Sequence, residues 1–202
     1  LIEYQNLSYA KEYMSFVGNI LEKEQKTRSS SELSQNVAKY LFKLMATKDE
    51  YEVARLSLKA ELDSAINKEF GESAKISYML HPPFLKAMEN IPILNMLPGV
   101  KSKLALGSWF KVFYVMLKNM KFLRGTPFDF MAWFSNDVRK ADRKALNHYK
   151  SILSENIDEI GNGKYQDLKD FSVLPDIIRG YEEVRLETMD EFYLKSNNIF
   201  KS

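Results

Sequence analysis

Two Arg-Gly pairs, Arg124-Gly125 and Arg179-Gly180, are the residues of this chain best suited to grip an anion. An arginine fork matches phosphate or carboxylate, and an adjacent glycine lets backbone approach closely. Lys121 adds a point charge just before the first pair. A structural role stands open beside each ligand role. Arg124 would sit in a last helical turn, facing free carbonyls, with Gly125 one step beyond. Gly180 would mark a bend or a close crossing inside a helix that starts at Pro175. His81 precedes Pro82 and Pro83, which hold it at the end of an extended segment. It suits either a proton donor at a cleft mouth or a hydrogen-bonded structural histidine. His148, between Asn147 and Tyr149 in a charged helix, reads as surface.

Other chemistry is hard to find. No Gly-x-Gly-x-x-Gly, Walker A, His-Glu-x-x-His or Gly-x-Ser-x-Gly pattern occurs. The two histidines stand far apart, with no carboxylate pattern making them metal ligands, so no metal site and no catalytic residue is expected. Asp49, Glu50 and Glu52 beside Arg55 read as solvated pairing on a helix face, against the alternative of paired acid–base carboxylates. No Asp or Glu occurs from Asn90 to Phe128, whereas Lys101, Lys103, Lys111, Lys118, Lys121 and Arg124 do. Such a stretch could steer an acidic partner or a phosphate-bearing ligand, or its lysines could simply snorkel from a buried helix.

These residues depend on the elements that carry them. The chain has 202 residues, 45% hydrophobic and 13% aromatic, which suits a globular domain with a sizeable core. Cysteine is absent, so disulfides, thiolate nucleophiles and cysteine-ligated clusters are excluded from this chain. That composition fits a cytoplasmic protein. A net charge of +2 gives no argument for nucleic acid. The apolar run Leu104–Leu123 is interrupted by Lys111, Lys118 and Lys121, which points to a core helix rather than a membrane span.

The periodicity predicts a mainly α fold, with at most a short strand or extended segment near residues 75–82. Tyr9, Tyr13, Phe16, Val17, Ile20 and Leu21 define an amphipathic first helix, and residues 1–25 read as a link to a preceding domain. Ser29 and Glu32 have capping-box spacing for a second helix bearing Leu33, Val37, Leu41, Leu44 and Met45. A third is expected from Glu50 to Phe70, ending at Gly71, and a buried one from Lys103 to Leu123. Ser135 or Asn136 would cap the next, GNGK at 161–164 is a turn, and Tyr165–Ser172 a short helix. The opening Leu-Ile-Glu-Tyr lacks an initiator Met and suggests a piece of a longer polypeptide.

Four blocks stand out in order along the chain: KLMATKDEYEVARL (43–56), LHPPFL (80–85), FLRGTPFD (122–129) and LPDIIRGYEEV (174–184). With them the chain resembles the C-terminal region of indolepyruvate ferredoxin oxidoreductases, in the 2-oxoacid:ferredoxin oxidoreductase class, from YQNLSYAKEY onward. Ser57 stands where that family usually carries tyrosine, and Glu182-Glu183 where it often carries Gly-His. The resemblance implies a multidomain parent with thiamine diphosphate and 4Fe-4S clusters. The parent would decarboxylate an arylpyruvate-like 2-oxoacid, pass electrons to ferredoxin and form an acyl-coenzyme A. It implies that residues 1–202 are a single helical accessory domain, itself without cofactor and inactive alone, contacting other domains or subunits. Two alternatives remain at this stage. One is a binding module in which Arg124, Arg179, Lys121 and His81 hold coenzyme A or a substrate anion. The other is a ferredoxin-docking surface along residues 90–128.

Overall fold

The computed structural model describes residues 1–71, 78–80, 104–106, 110–129, 131–132 and 136–200. The fold is mainly α, and the chain divides into two compact units. Unit 1 joins residues 1–47 to 137–202, and unit 2 is the intervening 48–136. Neither crossing between them carries a Pro- or Gly-rich linker.

Unit 1 contains helices α1 (Leu7–Thr27) and α2 (Glu32–Met45), followed after the excursion by α6 (Asn136–Asn156), α7 (Tyr165–Val173) and α8 (Glu182–Ile199). A 3-10 turn, Ile157–Asn162, leads from α6 towards α7. The core follows from helical spacing. Leu33, Val37, Leu41 and Leu44 of α2 and Ala145, Tyr149 and Leu153 of α6 are buried, together with Ile20, Leu168, Phe171, Met189 and Phe192. Each of the larger aliphatic and phenylalanine side chains contributes roughly 1.5–3 kcal/mol of burial. Tyrosines seal backbone carbonyls around this core. Tyr9 donates to the Met45 carbonyl at 3.0 Å, Tyr13 to Ala38 at 2.9 Å and Tyr149 to Ser172 at 2.8 Å.

Unit 2 contains α3 (Glu50–Ser57), α4 (Ala60–Phe70), the antiparallel strands β1 (Tyr78–Leu80) and β2 (Leu104–Leu106), and α5 (Lys111–Asn119). Tyr78 pairs with Leu106 and Leu80 with Leu104. A smaller core packs Tyr51 and Ala54 of α3 against Phe110, Tyr114 and Leu117, with Met131.

Several elements differ from the sequence expectation. The helix expected over 50–70 is broken: Leu58 closes α3 and Lys59 is extended before α4 starts. The helix expected over 103–123 begins with strand β2, and helix proper spans only 111–119 before a 3-10 turn at Met120–Leu123. Nor is α5 buried all round, since Val112, Val115 and Met116 are exposed beside buried Tyr114 and Leu117. Pro175 lies in a 3-10 turn, Leu174–Asp176, rather than at the start of the last helix. Gly180 therefore precedes α8 instead of lying within a helix. Its φ is +80°, and a Cβ there would meet Val184 Cγ1 at 2.7 Å, so both backbone and space demand glycine. No described helix is long and apolar enough to cross a membrane.

Candidate functional site

In unit 2 the first and third sequence blocks meet. Asp49 is the N-cap of α3, its Oδ1 accepting from the Glu52 amide at 2.9 Å. The same carboxylate holds Arg124 by two bonds, from Nε at 2.5 Å and from Nη2 at 2.8 Å. A bidentate pair fixes both position and orientation of the guanidinium. Only 13% of the Arg124 side chain and 7% of Asp49 remain exposed. The guanidinium also lies over the Tyr51 ring, 5.5 Å from its centre. Tyr51 in turn donates its hydroxyl to Asp129 at 2.8 Å. Asp129 is itself buried and accepts from the Gly125 amide at 3.1 Å and the Ala132 amide at 3.2 Å. The Arg-Gly-Thr-Pro-Phe-Asp elbow is thus stitched at both ends, with Gly125 at φ +79° where it turns. Glu52 and Arg55 form a further bidentate pair at 2.8 and 2.7 Å. Their side chains are largely buried, which corrects the reading of this cluster as a solvated face.

In unit 1 the first block meets the fourth. Lys43 of α2 donates to the carbonyls of Pro175 (2.8 Å) and Asp176 (3.1 Å), with the Asp176 carboxylate at 3.7 Å. Burial pulls its ammonium below the usual lysine value; Asp176 opposes the shift, and the charges of Arg179 and Arg185 reinforce it. Asp176 also receives Arg179, Nη2 to Oδ2 at 2.5 Å and Nε to its carbonyl at 2.9 Å. These contacts hold the Asp176 carboxyl below its ordinary range, chiefly through the Arg179 hydrogen bond. Arg185 is bound to Asp142 at 2.6 Å.

Two further groups are built into the core of unit 1. Glu24 of α1 is fully buried at the start of α2, accepting from the amides of Leu33 (2.9 Å) and Ser34 (2.8 Å) and from the Tyr165 hydroxyl (2.9 Å). Burial alone would raise its carboxyl, but these hydrogen bonds outweigh burial and hold it below the ordinary value. Helix α2 is thus capped by a carboxylate from another helix, not by the Ser29–Glu32 box; Ser31 is its N-cap and makes no side-chain cap bond. His148 corrects its surface assignment. Its Nε2 lies 2.8 Å from buried Ser196 Oγ, among the rings of Phe171, Phe192 and Tyr193. Burial lowers its pKa, with Glu155 opposing and Lys144 assisting.

The expected ligand residues are therefore dispersed among different environments. Arg124 is committed to Asp49, and Lys121 sits in the adjoining 3-10 turn, its carbonyl accepting from the Arg124 amide at 3.1 Å. Arg179 lies on unit 1 with its side chain 70% exposed. His81 lies outside the described residues. Among the described residues no group of three or more His, Cys, Asp or Glu could hold a metal ion. The Asp49–Arg124 pair escaped sequence reading because 75 positions separate its members. The Asp-x-x-Glu spacing of Asp49 and Glu52 was the available sign that a cap stood there.

Fold and site together define a mainly α-helical protein whose most buried described ion pair, Asp49–Arg124, binds two distant segments to one another. The chain belongs to the family of unknown function designated DUF6537, whose model matches residues 1–197. No curated protein and no solved structure matches it.

Proposed function

We propose that this chain is a non-catalytic accessory region of a larger 2-oxoacid:ferredoxin oxidoreductase, supporting assembly of the domains or subunits around it. The Asp49–Arg124 pair carries the proposal. A catalytic or substrate-gripping arginine must present its fork to a ligand, whereas this fork is turned onto a helix-capping carboxylate and largely covered. The first, third and fourth family-like blocks behave as staples in the same way. Block one holds the Arg-Gly-Thr-Pro elbow through Asp49 and Tyr51, and the Leu-Pro-Asp turn through Lys43. Glu182 adds support from the backbone. It has φ +50°, glycine's territory, at the position where the resembled family often carries glycine. An interface role is favoured by apolar side chains left exposed on unit 2, among them Val112, Val115, Met116, Phe122 and Phe128.

Under this proposal the oxidative chemistry belongs to other segments of the parent polypeptide. The purified parent should contain iron, sulfide and thiamine diphosphate, while an isolated 1–202 fragment folds without any of them. Elemental analysis and cofactor extraction of both proteins provide the check. A parent without these groups would end the oxidoreductase assignment.

A further inference from the structure

The turn between α7 and α8 gathers more positive charge than its single carboxylate can balance. Lys43 rests on the Pro175 and Asp176 carbonyls, and Arg179 is folded onto Asp176. Lys39 lies one helical turn before Lys43 on α2, and its charge acts on the same Asp176 carboxylate. Its own contacts are with Tyr40, the hydroxyl at 3.3 Å and the ring at 4.8 Å from its centre. Three cations thus act on one carboxylate, leaving a local excess of two positive charges. Arg185 lies close enough to act on Lys43 as well, but its charge is matched by Asp142. Like charges held together on a folded surface are destabilising unless a counter-charge joins them.

We propose that Lys39, Lys43 and Arg179 form a binding site for a phosphate-bearing anion on the surface of unit 1. Each member has a distinct part. Asp176 uses Nε through its carbonyl and Nη2 through its carboxylate, which locks the plane of the Arg179 guanidinium. The Nη1 donors are not used in those contacts, and the side chain is 70% exposed, so the open edge of the fork faces solvent. A phosphate oxygen pair fits such an edge, and a lysine ammonium adds a point charge to it. Lys39 is the exposed cation that completes the shell. Lys43 is anchored and supplies field rather than a contact. Asp176 repels an anion at short range, which confines the ligand to the far edge of Arg179. A dianionic phosphate matches the charge excess, whereas a carboxylate would leave half of it unbalanced. This inference goes beyond the accessory role and does not depend on which enzyme the chain belongs to.

Two probes distinguish a free anion from a phosphate carried by a larger molecule: inorganic phosphate and ADP. In a proton–nitrogen NMR titration of the 202-residue chain, phosphate should shift the Arg179 Nε–H signal and the amides of residues 176–180 saturably. Arg179→Gln and Lys39→Gln should each weaken binding about tenfold, while Lys195→Gln, altering a pair with Glu191 elsewhere on α8, leaves it unchanged. ADP binding more tightly than phosphate identifies a nucleotide-like carrier; equal affinity identifies the free anion. Circular dichroism should show the three variants folded. Absence of saturable shifts, affinity for acetate equal to that for phosphate, or binding indifferent to both Arg179 and Lys39 would overturn the site.

Discussion

At the scale of single residues, polar groups in this chain have been turned inward to hold segments together. Glu24 lies at the positive end of α2, Asp49 caps α3 while holding Arg124, and His148 sits on the hydroxyl of Ser196. Glu24 and His148 link stability to pH, and the sign follows from the shift of each. The folded-state pKa of His148 is lowered from 6.5, so the unfolded chain takes up the proton more readily. Its contribution is complete above pH 6.5 and falls as pH drops through that value towards the folded pKa. Glu24 is lowered from 4.5, so its contribution is present above that value and is lost as pH falls through the folded pKa. The His148 effect therefore opens the acid loss and Glu24 extends it. Urea unfolding between pH 7.5 and 5 should show declining stability, and His148→Phe should flatten that decline specifically. An unchanged pH slope in the variant would contradict the placement of His148 in the aromatic cage.

At the scale of elements, glycine makes opposite demands in two places. Gly18 lies exposed within α1, where a Cβ would meet nothing within 4 Å. Gly18→Ala should stabilise the protein by about 0.5–1 kcal/mol through helix propensity alone. Gly180 has φ +80° and no room beside Val184. Gly180→Ala should therefore cost more than about 1 kcal/mol, and thermal unfolding of the two variants provides the comparison. Both glycines look alike in sequence, since each sits in a run with helical spacing, and only the fold separates them. The same limit explains what else was and was not legible. Helices α1, α2 and α7 follow from apolar stripes of Tyr, Leu and Val, and the predicted core residues of α2 are all buried, with Ser34 and Tyr40 buried beside them. The break at Leu58–Lys59 has no Gly or Pro to announce it. Leu104-Ala105-Leu106 is apolar in either a helix or a strand, and its pairing with residues 78–80 decides the matter through distant chain. The candidate site was legible as residue types only: Arg124 was visible, its partner was not. Electrostatic pairing across long sequence separations leaves no periodic trace.

At the scale of the whole molecule, unit 1 has a large aromatic and aliphatic core, while the described residues of unit 2 combine a smaller core with three ion pairs. Asp49–Arg124, Glu52–Arg55 and Lys111–Asp63 all belong to unit 2. Removing one partner from a covered pair leaves an uncompensated charge and costs about 3 kcal/mol. That cost makes the central claim testable in the parent enzyme proposed above, because a staple and a catalytic residue fail differently. The decisive measurement is turnover of the 2-oxoacid per assembled holoenzyme, taken with the thermal midpoint, for Asp49→Ala and Arg124→Gln variants of the parent. As structural staples, both substitutions should lower the midpoint or the assembled fraction while turnover per assembled particle at low temperature stays at the wild-type level. A variant with normal assembly and an unchanged midpoint but with turnover abolished would contradict the accessory role and place Arg124 in the chemistry.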